Sequence, residues 1–468
     1  MRRIGLTAGV ATFAMLCGAT PVAAQNRPDQ KAFFDLYKQL VETNTTLSVG
    51  SCTQAATQIG ARLKAAGFAD ADLVSFSVPD HPREGGLVAT LAGSDPARKP
   101  MLLLAHLDVV EANRADWERD PFTLVEENGY YYGRGTIDDK AQAAIWADTL
   151  IRLRAAGPRP KRTIKLALTC GEETTFAWNG AQWLAQNKPD LIAAEFALNE
   201  GGGGRLGADG RREALALQVG EKAAQNYTFT ATNPGGHSSQ PVPVNAIYQL
   251  ADAVKAVQGN EFPVRFTDTT RAYFTATAKT GAPVMAQAIT RLLADPTDKA
   301  ADAIVSADKA FHSTLRTTCV ATLLKAGHAE NALPQRATAN VNCRIFPGET
   351  VDGTLATLQR LAGPAVTVSA NQPVRPIAVP PPLNPAIVEP ARKLAAKHFP
   401  GVPLAPFMST GATDGVFLGA IGIPVYGVPG VFIDRDMAGI HGLNERIRKT
   451  SLYDGRDYLF DLVKAFAG

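Results

Sequence analysis

A dominant charge is missing from this sequence. Lys and Arg number 47 against 44 Asp and Glu, leaving a net charge of +3 over 468 residues. There is no basic run and no aromatic–basic stripe, so the electrostatic footprint of a nucleic-acid binder is excluded. Long hydrophobic runs are missing as well, and nothing beyond the N-terminus is apolar for long enough to cross a bilayer. Cysteine is scarce, five in all, and no spacing suggests a thiolate metal site. Internal repeats are absent, and the glycine run 201–204 is the only low-complexity stretch. What remains is an ordinary globular composition, 46% hydrophobic and 19% charged, with length enough for two or three domains.

Residues 1–24 read as a secretory signal peptide. Arg2 and Arg3 form a positive start, residues 4–16 an apolar core too short to span, and Val22-Ala23-Ala24 a small-residue cleavage site. Leu16 before Cys17 fits a lipobox poorly, so Cys17 is filler in the discarded segment. A periplasmic or secreted location is therefore expected, and four cysteines stay in the mature chain. Cys319 and Cys343 lie in adjacent strand-like runs and are the best-placed disulfide pair; buried free thiols are an equally weighted alternative.

Apolar runs that read as strands alternate with helical spacing up to about residue 213, pointing to an α/β sandwich around a largely parallel sheet. From residue 214 to about 375 the texture is that of an α+β module, and residues 376–468 return to α/β. One domain interrupted by another is the expected layout.

Three of the strand-like runs end in chemistry-capable residues, where open α/β sheets place their sites. His106-Leu107-Asp108 puts an imidazole and a carboxylate on one face of a strand end, and the Asp can orient the imidazole from its far nitrogen. Read alone, it is a satisfied pair in a loop. Asp138-Asp139 follows the turn Gly133-Arg134-Gly135 and opens a helix; an N-cap accounts for one acid, but not for two beside that turn. A carboxylate bridging two metals accounts for more. Glu172-Glu173 are adjacent acids that repel one another unless cations compensate, and they divide into one ligand and one general base. Glu200 and His441 complete a nitrogen and oxygen donor set suited to zinc.

In order along the chain, HLD, GRGTIDDK, GEE, NEGG, GGHSS, NALPQ, GATDG and HGLNE resemble the zinc-dependent metallopeptidases that include glutamate carboxypeptidase, aminoacylase, succinyl-diaminopimelate desuccinylase and related dipeptidases. The resemblance runs from about residue 34 to 466. It implies an α/β/α catalytic domain with a mostly parallel sheet, interrupted by a ferredoxin-like lid or dimerisation domain. It also implies two zinc ions, with cobalt or manganese as substitutes: His106, Asp138 and Glu200 at one, and Asp138, Glu173 and His441 at the other.

On the same resemblance Glu172 is the general base for a water between the metals, and Asp108 orients His106. The 138–139 peptide is cis. His237 is the lid residue that stabilises the oxyanion, supplied across a homodimer in some relatives. Asn331, Arg344, Gly411 and Thr413 contact substrate. The implied reaction is hydrolysis of an amide or peptide bond next to a free carboxylate, as in a carboxypeptidase or dipeptidase. An N-acyl-amino-acid deacylase is the alternative, a ureido or amidino hydrolase a less favoured one, and a non-catalytic periplasmic binding protein the rival from another class.

The chain also departs from the pattern. Ala141 follows Lys140 where glycine is usual, Gly415-Val416 replaces a small residue and Arg, and residues 262–311 are extra, with 286–310 reading as additional helix.

Overall fold

The computed structural model describes residues 28–174 and 178–468; residues 1–24, expected to be a signal peptide, lie outside them. Helices α1 (Pro28–Glu42) and α2 (Cys52–Ala65) lead into β1 (Leu73–Val78), β2 (His81–Leu91) and β3 (Met101–His106). The short strands β4 (Val125–Glu127) and β5 (Tyr130–Tyr132) precede α3 (Lys140–Ala155), β6 (Ile164–Thr169), α4 (Gly180–Asn187) and α5 (Pro189–Ile192). Then come β7 (Phe196–Asn199), β8 (Gly203–Leu206) and β9 (Arg212–Glu221).

The interrupting unit starts with β10 (Ala223–Thr232), β11 (Gly236–His237) and α6 (Ala246–Gly259). Four helices follow, α7 (Asp268–Thr280), α8 (Pro283–Ala294), α9 (Lys299–Val305) and α10 (Lys309–Leu315). It closes with β12 (Thr318–Ala326), β13 (Ala332–Leu333), β14 (Arg336–Ile345), α11 (Val351–Ala362) and β15 (Val366–Ala370). The chain returns through α12 (Pro385–His398), β16 (Leu404–Ser409), α13 (Gly415–Ala420), β17 (Val425–Gly427), β18 (Phe432–Ile433), β19 (Arg446–Arg448) and α14 (Lys449–Ala467).

The large sheet runs β1-β2-β6-β3-β7-β17-β9-β8-β18, with β16 paired to β9. Its centre, β6-β3-β7-β17, is parallel. All six residues of β3 are buried, as expected of a strand covered on both faces. Alternation divides them: Met101, Leu103 and Ala105 pack with α1, α2, α3, α12 and α14, whereas Leu102 and Leu104 pack with α4 and α13. The result is an α/β/α sandwich. The second core layer continues into the smaller unit, whose antiparallel sheet β12-β14-β10-β15 is covered by α6 and α11. Its βαββαβ order with that strand sequence is the ferredoxin-like arrangement.

Two expectations change here. The boundary placed at 213–214 falls inside β9, which pairs with β8, β16 and β17; the large sheet keeps the chain to Glu221. Texture misled because β9 and β10 are consecutive strands of similar composition in different sheets. Helix was expected over 286–310; the extra stretch forms four helices from 268 to 315, gathered on a core of their own that includes Phe274, Ile289, Leu292 and Leu315.

The four cysteines among the described residues are bonded in two pairs, Cys319 to Cys343 and Cys52 to Cys170. The first joins directly opposed residues of β12 and β14. The second was not expected, because 118 residues separate its ends. No described helix is long and apolar enough to cross a membrane.

Candidate active site

β3, β6 and β7 are parallel neighbours, so His106, the 171–173 turn and Glu200 emerge at the same edge of the sheet. His106 is buried, with Nε2 3.1 Å from Asp138 Oδ1 and 3.9 Å from Glu200 Oε1. The other Asp138 oxygen lies 3.1 Å from His441 Nε2, which is also 2.9 Å from Glu173 Oε1. Two overlapping groups thus form, His106–Asp138–Glu200 and Asp138–Glu173–His441, each with candidate ligand atoms within 4.8 Å of one another. Asp138 belongs to both. The peptide that follows it, Asp138–Asp139, is cis.

His441 reaches the cluster from a loop with an unusual backbone. Its φ is +58°, and Met437, Ala438 and Asn444 are also left-handed. Non-glycine residues hold that conformation only where the surroundings over-determine it. At the opposite side, Gly171 has φ +96°, and a Cβ there would lie 2.1 Å from the Trp178 carbonyl oxygen. Only glycine fits the turn that presents Glu172 and Glu173.

Three further carboxylates fasten these loops. Asp108 was expected to orient His106 with its carboxylate. Its Oδ1 lies 3.5 Å from His106 Nδ1, which is nearer, at 3.0 Å, to the Asp108 backbone oxygen, and the carboxylate also accepts from the backbone N–H groups of Glu172 (3.3 Å) and Glu173 (2.9 Å). Asp414 accepts from Thr169 Oγ1 at 2.8 Å and Asn179 Nδ2 at 2.7 Å. Glu445 accepts from Gly135 N, Ile137 N and Asp138 N, and pairs with Arg134 at 2.8 Å. Asp139 stands at the N-cap position of α3 but makes no capping bond with its side chain.

Electrostatics follow from burying so many acids. Burial pushes the Glu172, Glu200 and Asp139 carboxyls well above their ordinary range; His106 offsets part of this, and neighbouring acids add to it. Asp138 goes the other way: burial would raise it, but its bonds to His106 and His441 outweigh that. Hydrogen bonds to Asp138 and Glu173 raise His441 to about 10. His106 is raised too, its acidic partners outweighing burial.

A cleft of about 350 Å³ opens beside the cluster. Glu172, Glu173 and His441 form one side, Asn342 and Arg344 come from β14, and Thr413, Val416 and Phe417 from the returning chain. Thr413 is fixed by donating its N–H to Glu221 at 2.8 Å. Gly411, His237 and Asn331 are not among the cleft walls. His237 and Asn331 sit together on the exposed β11–β13 ribbon, where His237 Nδ1 accepts from Ser239 N at 3.1 Å.

Missed by the sequence reading were Asp414, Glu445 and Arg375. The first two stand inside motifs already singled out, GATDG and HGLNE. Arg375 lies in the Pro-rich return and carried no signal.

Fold and site together define a hydrolase of the metallopeptidase/amidohydrolase type. Residues 102–465 match peptidase family M20/M25/M40, and the chain belongs to that family. It is 30% identical over 388 residues to the human N-fatty-acyl-amino acid synthase/hydrolase PM20D1, covering 80% of this chain and 76% of that protein. Mouse aminoacylase-1 is 25% identical over 384 residues, 81% of this chain and 83% of the relative. Among solved structures, an M20 family metallo-carboxypeptidase from Sulfolobus solfataricus superposes with a TM-score of 0.71 at 18% identity, over 93% of this chain and 99% of that one.

Proposed function

We propose that this protein is a secreted dinuclear metallohydrolase that cleaves the amide bond of N-acyl amino acids. The observation that carries the chemistry is the pair of three-residue groups sharing Asp138. Their donors, imidazole nitrogens and carboxylate oxygens, fit zinc, with cobalt or manganese as substitutes. The residues fit a cation for a second reason, since burial raises Glu200 and Asp139 and leaves one Asp139 oxygen without a hydrogen-bond partner. His106, Asp138 and Glu200 would hold one ion, and Asp138, Glu173 and His441 the other. Bound there, the ions would polarise the scissile carbonyl and acidify water.

Around that centre the chain's own groups have separate tasks. Glu172 takes a proton from the attacking water on its carboxylate and returns it to the leaving nitrogen. Asp108 holds the Glu172 and Glu173 backbone, so base and ligand stay in register. Arg344 offers a planar fork to a substrate carboxylate, and Thr413 lines the same cleft. His237 and Asn331, on their exposed ribbon, would act only on lid closure or from a second subunit, and a homodimer through the smaller unit is part of the proposal. Location rests on the leader-like residues 1–24.

Read alone, the sequence put peptide bonds first. The 30% identical relative named for N-fatty-acyl amino acids, together with the apolar cleft walls Val110, Ala223, Val416 and Phe417, favours an acyl group over a second amino acid. The test is a panel of N-acyl amino acids and dipeptides incubated with the zinc-loaded protein and with Glu172→Ala. The expected result is N-acyl amino acid turnover that falls at least about 100-fold in the variant, with bound metal unchanged. Preference for dipeptides would overturn the substrate assignment, and equal rates for the two proteins would overturn the role of Glu172.

A further inference from the structure

The connection between α1 and α2, residues 43–51, precedes the 102–465 stretch that matches the family. It nonetheless reaches three of the segments that deliver the candidate centre. The Thr43 carbonyl accepts from the buried Lys140 Nζ at 2.8 Å, one residue past the Asp138–Asp139 peptide. The Thr45 carbonyl accepts from Val109 N at 3.4 Å, and Glu111 accepts from Ser48 N at 2.9 Å and Ser48 Oγ at 2.8 Å. Those contacts hold the chain that leaves His106 and Asp108. Cys52, the first residue of α2, is bonded to Cys170, directly before Gly171-Glu172-Glu173.

The connection has a defined shape of its own. Asn44 Oδ1 accepts from Thr46 N at 2.9 Å and Thr46 Oγ1 at 2.8 Å, and the Asn44 carbonyl accepts from Ser51 N at 2.9 Å. A Cβ on Gly50 would lie 2.4 Å from Thr46 N, so the tight turn requires glycine. At the far end of the bond the 170–173 turn is held on two sides. The Cys170 carbonyl accepts from Gly180 N at 2.7 Å, and the Gly171 carbonyl from Asn179 Nδ2 at 3.0 Å. Asp108, which accepts from the Glu172 and Glu173 N–H groups, has a carboxylate oxygen within 4.8 Å of both cysteine sulfurs. Hydrogen bonds thus set the turn against α4 and the end of β3, and the disulfide sets it against the 43–51 connection.

We propose that Cys52 and Cys170 are positioning residues for the candidate centre. Their bond ties the turn bearing Glu172 and Glu173 to a connection that also holds the segments bearing His106 and Asp138. It thereby sets the distance of base and ligand from the shared Asp138. The proposal rests on the metallohydrolase reading. His106 and Glu200 stand at the ends of paired strands β3 and β7, whereas Glu173 depends on the turn. Loss of the bond should therefore be felt at the Asp138–Glu173–His441 group more than at His106–Asp138–Glu200.

The test is zinc titration, by competition with a chelating dye, of the metal-free protein and of Cys52→Ala/Cys170→Ala. The control is Cys319→Ala/Cys343→Ala, which removes a disulfide within the smaller unit. All are compared at a temperature where circular dichroism shows them folded. In the Cys52/Cys170 variant one ion should bind roughly 10–100-fold more weakly, the range for a lost support of a metal ligand, and the other within about threefold of the parent. At saturating zinc, kcat for N-decanoyl-phenylalanine should fall at least about tenfold, with KM little changed, because a small displacement of a positioned group costs that much. The control should show neither effect. Equal weakening of both ions, the same loss in the control, or unchanged affinity would overturn the proposal. Should the Cys52/Cys170 variant fail to fold, Gly50→Ala displaces the same connection with the bond intact. It is expected to weaken the same ion, and unchanged affinity there would be equally fatal. Loss of one ion in a protein whose parent cleaves neither N-acyl amino acids nor dipeptides would refute the hydrolase reading and uphold the positioning role.

Discussion

Glu445 offers the sharpest test of how the candidate metal loop is held. Its side chain and that of Arg134 are 1% and 3% exposed. One oxygen accepts from Arg134 Nη1 and Gly135 N, the other from Ile137 N and Asp138 N, at 2.8–3.2 Å. Replacing Glu445 with Gln keeps the shape but leaves one acceptor oxygen. Whichever way the amide turns, two buried donors face an NH₂ group, and the Arg134 charge loses its partner. Breaking a buried pair in this way costs about 3–5 kcal/mol. Because either turn releases donors of the 134–138 loop that carries Asp138, metal affinity should fall roughly 10–100-fold as well. Urea unfolding with a chelator present reads the first effect in isolation, and competition with a chelating dye reads the second. Stability within about 0.5 kcal/mol of the parent, the range of ordinary surface substitutions, together with unchanged metal affinity would refute the reasoning.

Other expectations follow from particular contacts. Asp108→Asn can accept from only one of the Glu172 and Glu173 N–H groups, so metal affinity should again drop roughly 10–100-fold, measured by the same dye competition. Replacing both Cys52 and Cys170 by Ala removes a cross-link spanning 118 residues and should lower unfolding free energy by about 4–5 kcal/mol in urea. Burial holds the Glu221 carboxyl up to about 8, above its ordinary 4.5. Between those values the native state keeps a proton that the unfolded chain has released, so stability falls as pH rises through that window. Thermal melts from about pH 5 to about pH 9 should show that slope flattened in Glu221→Gln.

Much of the site was legible because its residues end buried strands, and strand ends in an open α/β sheet are where side chains can converge. His106, Asp138, Glu172, Glu173, Glu200 and His441 all stood beside apolar runs or glycine turns that marked those ends. What escaped is of another kind. Glu445 and Asp414 act on backbone N–H groups and side chains more than 200 residues away, and no local pattern encodes such a partner. Cys52, at the start of α2, meets Cys170, just past β6, across 118 residues of chain. Arg375 was hidden in a proline-rich return that reads as a linker. The end of the first sheet could not be seen because β9 and β10 share a strand pattern and differ only in their neighbours.

The buried acids fall into two sets, and the division says why this cluster calls for cations. Asp108, Asp414 and Glu445 spend their oxygens on protein donors that fix loops, and for Asp414 and Glu445 those bonds offset part of the burial that pushes them up. Glu172, Glu200 and Asp139 are pushed up first by burial and then, after partial relief from His106, by neighbouring acids, Asp414 foremost at Glu172 and Asp138 at all three. A buried carboxylate is tolerated when it is paired or coordinates a metal, and two imidazoles cannot compensate all of the second set. Replacing that set with amides would relieve the repulsion and stabilise the apo fold while removing the donors. The arrangement thus gives up stability without metal in order to bind it. Accordingly, Glu200→Gln should raise the chelated protein's melting temperature and lower that of the zinc-loaded one. A fall in both would place Glu200 among the structural acids instead.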